Sequence, residues 1–267
     1  MTQTHAVSFE GATVTKRYVS WARDEHLREW TALQRISASA PDLVPTPLGL
    51  SPSDPALAMR SELAMSRLAE PVLSMSLVAG RPLGGALTAA ELDGLEAALR
   101  ELWSIPADGL APVGLPALVE RAREGVSSFE GWGIVAEAHV AAAEWLRSSE
   151  VDRLFEPAEA VIGHGDPNLS NYLWDGIRVR IVDFEDAGRS DLAVELANLV
   201  EHISARETDW TGFVSRFPVD RQRFLTARRL WSIFWLILLR PGTPSSLRNP
   251  PDTRIHQSTR VLTLLNC

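Results

Sequence analysis

The apolar residues of the first third of the chain follow strand and helix patterns in turn. Residues 7–19 (VSFEGATVTKRYV) alternate in character around Glu10-Gly11, which predicts a β-hairpin whose second strand covers residues 13–19. A helix is predicted over about residues 22–37. One stripe of this helix, at helical spacing, carries Glu25, Glu29, Leu33 and Ile36. Further strands are expected near residues 56–59 and 72–78, with a proline-punctuated connection (VPTPLGL) before them.

Beyond residue 87 the apolar spacing becomes mainly helical. Helices are predicted, in chain order, near residues 92–102, 115–127, 134–148, 192–203, 221–239 and 253–265. The segment AGRPLGG, residues 79–85, has the glycine and proline content of a hinge. We therefore expect two parts, residues 1–80 and residues 81–267.

One predicted hairpin interrupts the helical region and carries oxygen-bearing side chains. A strand begins at Asn171, Asp175-Gly176 is a strong two-residue turn, and residues 178–184 form the returning strand. Simple pairing about this turn places Asp183 opposite the loop that runs from Asp166 to Asn171. Because carboxylate and amide oxygens suit Mg²⁺, the three side chains predict a metal and phosphoryl-transfer site.

Lys16 is the only lysine among 26 basic residues, all the others being arginine. A position that keeps lysine against this bias indicates a need for a compact point charge, such as contact with adjacent phosphates in a tight cleft. A glutamate on the partly apolar stripe of the following helix needs a cation as its partner. Glu29 is the preferred partner of Lys16, and Glu25 is the alternative.

Composition and charge limit the classes of partner. The longest apolar run, near residues 230–239, is too short to span a bilayer, and no segment has signal-peptide character, so no membrane association is expected. The single cysteine, Cys267, favours a reducing cytoplasm. The net charge of −8 argues against nucleic acid and is compatible with a cationic ligand. We expect a monomer or a homodimer.

Arginine is concentrated at the end of the chain. Eight arginines and a single acidic residue, Asp252, lie from Arg221 onward. A solvated helical surface is the favoured interpretation, and a site for an anionic substrate or phosphate is the alternative. In the same region Trp231 and Trp235 could form a box for a quaternary ammonium group, but their apolar neighbours favour a core stripe.

The segment HGDPNLSNYLWDGIRVRIVDFEDAG, residues 164–188, resembles the catalytic segment of the aminoglycoside phosphotransferase and choline kinase family, relatives of the protein kinases. The resemblance implies an α+β, bilobal, protein-kinase-like fold with a small β-rich N-lobe and a mostly helical C-lobe. It also implies the roles of the site residues: Asp166 accepts or orients the proton of the acceptor hydroxyl, and Asn171 and Asp183 bind Mg²⁺. Lys16, held by Glu29, binds the nucleotide phosphates, and backbone groups around Ser76 and Val78 contact the base.

Two further residues take supporting roles under this resemblance. His164 is expected to be a structural anchor of the loop, and Asp191 is expected to start a helix beneath it as an N-cap or first-turn acid. No glycine-rich phosphate-covering loop precedes the Lys16 strand, so the N-lobe is expected to be shortened; weak nucleotide binding or a start site placed too late are the alternatives.

The expected activity is transfer of the γ-phosphoryl group of ATP or GTP to a hydroxyl of a small molecule. An aminoglycoside or another amino-bearing antibiotic, with a role in antibiotic resistance, fits the family and the acidic balance. A metabolic alcohol, such as a sugar or an amino alcohol, is the alternative acceptor. The competing classes are a nucleotide-binding pseudokinase and a protein-interaction module.

Overall fold

The computed structural model describes residues 5–51, 70–127 and 132–266. Packing divides the chain into two compact units, one formed by Met1–Ala111 with Val161–Arg189 and the other by Pro112–Ala160 with Ser190–Cys267. These two units are compact groups of packed residues and need not coincide with lobes, so the predicted boundary between lobes at residue 80 stays a prediction. The strand predicted at residues 56–59 lies outside the described residues, as does Cys267.

A four-stranded antiparallel sheet dominates the first unit. Its strands are β1 (His5–Glu10), β2 (Thr13–Tyr18), β3 (Pro47–Ser51) and β4 (Val72–Ser76), in the order β1-β2-β4-β3. Lys16 on β2 lies opposite Val7 of β1 and Leu73 of β4. Lys16 and Tyr18 are buried while Arg17 between them is exposed, because alternate side chains of a strand point to opposite faces.

Helix α1 (Glu25–Ser39) follows β2 and buries the predicted stripe. Its buried side chains are Glu25, Glu29, Ala32, Leu33 and Ile36. The spacing of three and four residues places them on one face of the helix. Two carboxylates are therefore carried into a mostly apolar interior, and each needs a partner there.

Shorter strands complete the first unit. Strand β5 (Arg81–Pro82) pairs with β7 (Tyr172–Trp174), which pairs with β8 (Val179–Ile181), while β6 (Ala160–Gly163) pairs with β9 (Gly188–Asp191). Helix α2 (Ala89–Trp103) begins with a complete capping box between Thr88 and Glu91. The predicted hinge segment thus contains a strand, and it packs closely, since a Cβ on Gly80 would lie 3.0 Å from Leu173 Cβ.

Helices form most of the second unit. They are α3 (Leu115–Ser127), α4 (Gly133–Leu146), α5 (Leu192–Glu201), α6 (Arg221–Leu238), α7 (Pro244–Arg248) and α8 (Thr253–Leu265). A seven-residue 3₁₀ helix covers Ser149–Phe155, and single 3₁₀ turns lie at Ile203–Ala205 and Val214–Arg216. In the part of the chain that the structure describes, each helix is too short or too polar to cross a membrane.

Asp191 starts α5 as predicted. Its Oδ1 accepts hydrogen bonds from the amides of Ala193 and Val194 at 3.0 and 3.1 Å, which satisfies two of the free N–H groups of the first turn. Its Oδ2 accepts from Arg223 Nη2 at 2.7 Å. The same carboxylate thus caps one helix and fastens another to it.

Three expectations from the sequence are revised or decided. Residues 47–51 form an edge strand, where the sequence predicted a connection between strands. Pro47 is tolerated at its first position because an edge strand has one unpaired side, so the missing backbone N–H of proline costs no ladder hydrogen bond. The favoured solvated arginine surface is wrong for Arg223, Arg228 and Arg229, whose side chains are only 10%, 18% and 15% exposed. Trp231 is buried against Phe234, in agreement with a core stripe.

The stability of the second unit should depend on the neutral state of His139 in α4. Burial, aided by the charge of Arg254, lowers the pKa of His139 from 6.5 to about 4. The unfolded chain then binds more protons between these values, so this contribution is complete above pH 6.5 and is lost as the pH falls toward 4. We expect the native chain to lose about 2 kcal/mol from this group between pH 7.5 and pH 5.

Urea unfolding at pH 7.5 and pH 5 measures this loss. His139→Gln should lose correspondingly less stability over the interval, because glutamine does not titrate. His256→Gln is the matched control, since His256 is exposed, and it should keep the native pH dependence. The same pH dependence in His139→Gln as in the native chain would contradict the assignment.

Candidate active site

The hairpin of β7 and β8 has a turn one residue later than predicted. Its register pairs Trp174 with Val179, which makes Gly176 and Ile177 the central turn residues rather than Asp175 and Gly176. The cause is the Asp175 side chain, whose Oδ1 accepts the amides of Ile177 and Arg178, each at 2.9 Å. Gly176 adopts the positive φ of +103° that this turn requires.

The shifted turn still brings Asp183 close to the loop that runs from Asp166 to Asn171. The amide of Val182 donates to the carbonyl of Asn171 at 2.9 Å, so Asp183 follows the residue paired with Asn171. Asp183 itself has a φ of +69°, an uncommon conformation for a residue with a side chain. Such strain often marks functional positions, because surrounding contacts must maintain it.

His164 anchors the start of the loop. Its Nε2 donates to the carbonyl of Val182 at 2.9 Å, and its ring lies 4.8 Å from the ring of Phe184. His164 is buried, and Phe184 is fully buried. These contacts agree with the structural role expected for His164 and connect the loop to the segment that follows β8.

Asn171 shapes the same loop from its other end. Its Nδ2 donates to the backbone carbonyl of Asp166 at 3.0 Å, and Asn168 Oδ1 accepts from the amide of Ser170 at 3.1 Å. The Asp166 side chain is half-buried. The loop is therefore held by side-chain bonds to its own backbone, while the carboxylate of Asp166 keeps partial access to solvent.

Lys16 lies at the centre of a cluster of carboxylates. Its Nζ is 2.7 Å from Glu29 Oε2 and 2.6 Å from Glu185 Oε2, and it donates to Asp183 Oδ1. Glu29 was the preferred partner from the sequence; the alternative, Glu25, instead accepts from Arg23 Nε at 3.0 Å. Strand β2, helix α1 and the segment after β8 each contribute to this cluster.

The cluster carries more negative than positive charge. Burial disfavours the charged form of Lys16, but the charges of Glu29, Asp183 and Glu185 outweigh burial and raise the pKa of Lys16 above its ordinary range. Burial raises the pKa of Glu185 to about 7, and the charge of Asp183 acts in the same direction against the opposing charge of Lys16. One ammonium among three carboxylates leaves a site suited to a further cation.

Glu185 and Tyr18 are functional candidates that the sequence analysis did not assign to this cluster. The Tyr18 hydroxyl donates to Glu29 Oε2, and Glu185 Oε2 lies 3.0 Å from His5 Nε2. Both residues follow a site residue by two positions. For Tyr18 this spacing is the signal that could have found it, because side chains two apart in a strand share a face. The segment from Asp183 to Glu185 is not a strand, and Asp183 has a positive φ, so strand alternation could not have indicated Glu185.

Glu29 holds two parts of the site at once. Besides its contact with Lys16, its Oε1 accepts from the amide of Phe184 at 3.2 Å. Glu29 is 1% exposed. The position of the segment that carries Asp183 is thus fixed directly by helix α1.

A cavity of about 370 Å³ opens beside Lys16. Its lining residues are His5, Val7, Phe9, Val14, Lys16, Glu29, Pro45, Met75, Ser76, Leu77, Val78, Asn171, Leu173, Val182, Asp183 and Glu185. Most of the wall is apolar, and the charged groups gather at one part of it. This combination is typical of a pocket for a ligand with one flat apolar part and one charged part.

Six of the seven predicted site residues line this cavity, and Asp166 does not. Asp166 is linked to it through the bond from Asn171. The amide of Ser76 donates to the Thr46 carbonyl at 2.9 Å, and its hydroxyl accepts from the Thr46 amide at 2.8 Å. These two bonds use the Ser76 amide and one lone pair of its hydroxyl oxygen.

Three carboxylates in this cluster are close enough together to hold a metal ion. Ligand atoms of Glu29, Asp183 and Glu185 all lie within 4.8 Å of one another. The predicted metal ligands were Asn171 and Asp183, and both line the cavity. Within the described residues, Asn171 Oδ1 makes no hydrogen bond, so it can act as an acceptor or as a metal ligand.

Comparison with known proteins assigns the chain to a family. The model of the phosphotransferase enzyme family matches residues 12–230, which include the Lys16 strand, α1 and the whole catalytic segment. The chain belongs to this family. No curated protein sequence matches it significantly.

Solved structures share the fold over almost the whole chain. A choline/ethanolamine kinase family protein from Mesorhizobium loti has a TM-score of 0.70 at 16% identity, covering 99% of this chain and 86% of its own. Choline kinase LicA from Streptococcus pneumoniae has a TM-score of 0.60 at 11% identity and covers 100% and 90%. The GDP complex of aminoglycoside 2′-phosphotransferase-IIIa has a TM-score of 0.59 at 14% identity and covers 98% and 88%.

These matches confirm two expectations from the sequence. The fold is α+β and protein-kinase-like, with a small antiparallel sheet near the N-terminus and a mostly helical remainder. The chain is a small-molecule phosphotransferase of the aminoglycoside phosphotransferase and choline kinase type. The roles of individual site residues are not decided by these matches and stay predictions.

Gly165 should be essential to the shape of the loop. It has a φ of +83°, and a Cβ built on it would lie 2.1 Å from the backbone oxygen of Asp186. We expect Gly165→Ala to lower the free energy of unfolding by more than about 2 kcal/mol, because both the backbone angle and the contact must change. Chemical denaturation provides the measurement.

Gly176→Ala is the matched control. Gly176 also has a positive φ, +103°, but nothing lies within 4 Å of its added Cβ. This variant should show only the smaller effect of backbone strain, about 1 kcal/mol. Equal losses in the two variants would mean that the close approach to Asp186 does not restrict residue 165.

Proposed function

We propose that the chain transfers the terminal phosphoryl group of ATP or GTP to a hydroxyl of a small, amino-bearing molecule. The observation that carries the proposal is the contact of Lys16 with Glu29 and Asp183, beside a mostly apolar cavity. Phosphoryl transfer requires little covalent chemistry from the protein and depends on positioning and electrostatic stabilisation. A buried cation and carboxylates held by three separate elements meet that requirement.

The nucleotide is assigned to the cavity beside Lys16. The lining of the cavity includes the apolar side chains of Val14 and Met75, which suit the flat base, and it also includes Ser76 and Val78, whose backbone groups would contact that base. Lys16 would contact the phosphates, and Glu29 would hold Lys16 in place. The two are already 2.7 Å apart, so no rearrangement of Glu29 is needed to orient the ammonium group.

Mg²⁺ fits the donor set of Asn171 and Asp183. An amide oxygen and a carboxylate are hard ligands, and the excess of negative charge around Lys16 favours a further cation. When bound, Mg²⁺ would neutralise charge on the nucleotide phosphates. Glu185, 2.6 Å from Lys16, would help to keep that ammonium group charged and near the metal ligands.

Asp166 is assigned to the acceptor. Its carboxylate is half-buried, and its backbone is fixed by the bond from Asn171. It would accept the hydrogen bond of the acceptor hydroxyl and orient it for attack on the terminal phosphorus. The hydroxyl proton would pass toward Asp166 as the new phosphate ester bond forms and the nucleoside diphosphate leaves.

Two acceptor classes follow from the family and from charge. Structural relatives include a kanamycin complex of APH(2″)-IIIa and choline kinases. The net charge of −8 favours an acceptor with amino groups, which both classes carry. We propose an aminoglycoside or another amino-bearing antibiotic, with a role in antibiotic resistance, and we retain a metabolic amino alcohol as the alternative.

An acceptor screen tests the activity. Purified chain, Mg²⁺ and γ-labelled ATP or GTP would be incubated with aminoglycosides, choline, ethanolamine and neutral sugars, and labelled product would be counted. We expect metal-dependent transfer to at least one amino-bearing compound. Transfer to neutral sugars alone would contradict the acceptor class, and a nucleotide-dependent thermal shift without any transfer would instead indicate a pseudokinase. With neither shift nor transfer, a protein-interaction module would be the better interpretation.

Substitution of Asp166 tests the assignment of its role. With the best acceptor from the screen, Asp166→Ala should lower kcat by about 100-fold or more, because the acceptor hydroxyl loses its base. Folding and nucleotide affinity should be largely kept. Asp209→Ala is the matched control, since that carboxylate is exposed, and it should turn over normally. Turnover close to that of the native chain in Asp166→Ala would contradict the role.

A further inference from the structure

The helical unit contains a second cavity, of about 470 Å³, formed within residues 200–260. Helix α5 and the segment that follows it contribute Val200, Arg206 and Trp210 to its wall, and helices α6 and α8 contribute Arg228 and Arg260. Every residue that lines it belongs to the second compact unit, whereas Lys16 and its carboxylates belong to the first. The two cavities are therefore built from different parts of the chain.

Three arginines in this wall share one carboxylate. Glu201 is fully buried; its Oε1 lies 2.7 Å from Arg228 Nε and 2.7 Å from Arg260 Nη2. Arg206 Nη1 lies 3.7 Å from Glu201 Oε2. Three guanidinium groups around one carboxylate leave two positive charges that Glu201 does not balance.

A purely structural role for this cluster does not account for the excess charge. A single arginine would neutralise Glu201, and each additional partly buried cation carries a desolvation cost unless an anion meets it. The cost is visible in Arg206, where burial, with the like charges of Arg260 and Arg228, lowers the pKa to about 10 against the opposing charge of Glu201. The cluster therefore carries a net positive charge that an anionic ligand would neutralise.

Arg228 offers the donors that could meet this demand. In the described part of the chain its only hydrogen bond is made by Nε, to Glu201, so its two terminal nitrogens remain available. Its guanidinium group also lies 5.6 Å from the centre of the Phe224 ring. A planar fork of this kind binds carboxylate and phosphate oxygens in a bidentate manner.

Apolar groups make up another part of the same wall. Trp210, Phe224 and Val214 line the cavity, and Trp210 is fixed by a hydrogen bond from its Nε1 to the carbonyl of Ala205 at 3.0 Å. A volume of about 470 Å³ is within the range of small-ligand sites. Aromatic and apolar walls beside arginines select a ligand with an apolar body and an anionic head.

We propose that this cavity binds a small organic oxyanion, a carboxylate or a phosphate monoester, through Arg206, Arg228 and Arg260, with its apolar body against Trp210 and Phe224. The proposal is independent of the phosphotransferase activity, since it rests on residues of the helical unit alone. Such a ligand would contact arginines of α6 and α8 and of the segment after α5, near Glu201. Its binding would therefore stabilise the packing of these helices.

Isothermal titration calorimetry with phenyl phosphate and with benzoate tests the proposal and distinguishes the two head groups. We expect the native chain to bind at least one of them, and to bind the neutral analogue benzyl alcohol at least 10-fold more weakly. Excess Mg·ADP should not compete, because the nucleotide is assigned to the other unit. No binding of either anion, equal binding of benzyl alcohol, or displacement by Mg·ADP would overturn the proposal.

Two variants locate the site. Arg228→Gln should weaken binding of the anion at least 10-fold, and Arg248→Gln, which changes an exposed arginine of α7, should bind as the native chain does. If Arg228→Gln does not fold, Val214→Trp fills the cavity without substituting any of its arginines and should also abolish binding. Native affinity in a folded Arg228→Gln variant, or in Val214→Trp where Arg228→Gln does not fold, would overturn the assignment.

Discussion

The first unit depends on the ammonium group of Lys16 and the three carboxylates around it. Glu29 from α1, and Asp183 and Glu185 from the segment after β8, all lie within contact of Nζ. Removal of Lys16 would leave these acids facing one another in a largely buried space, which is strongly unfavourable. The positive charge of Lys16 therefore holds strand β2, helix α1 and the segment after β8 together. Under the proposed function, the same contact would place Lys16 beside the nucleotide phosphates and the metal ion.

Around this contact, the segment of residues 164–186 is shaped by side-chain packing and by hydrogen bonds to its own backbone. His164 and Phe184 pack against each other, and Asn171 holds the backbone of Asp166. Gly165 allows an approach to Asp186 that no other residue would permit. Rigid supports of this kind matter for phosphoryl transfer, because catalysis by positioning fails when the positioned groups can move.

The helical unit shows the opposite arrangement of charge. There one buried carboxylate, Glu201, is surrounded by Arg206, Arg228 and Arg260, just as one ammonium group is surrounded by three carboxylates in the first unit. In each cluster the central group neutralises only part of the surrounding charge. The first cluster is left with an excess of negative charge, which suits a cation, and the second with an excess of positive charge, which suits an anion. Both ligand proposals follow from this single electrostatic argument.

The class of fold was implied by the resemblance of residues 164–188 to a known family. From its residues alone, the sequence determined the main helices, the strand that carries Lys16 and the approach of Asp183 to the loop of residues 166–171. These features depend on local spacing: helical period, strand alternation and turn residues act over a few positions. The turn register at Gly176, the strand at Pro47, the place of Glu185 beside Lys16 and the arginine cluster around Glu201 were decided only by the tertiary structure. They depend on side-chain hydrogen bonds and on charges brought together from distant positions, such as Glu201 and Arg260, and no local pattern records which distant charges will meet.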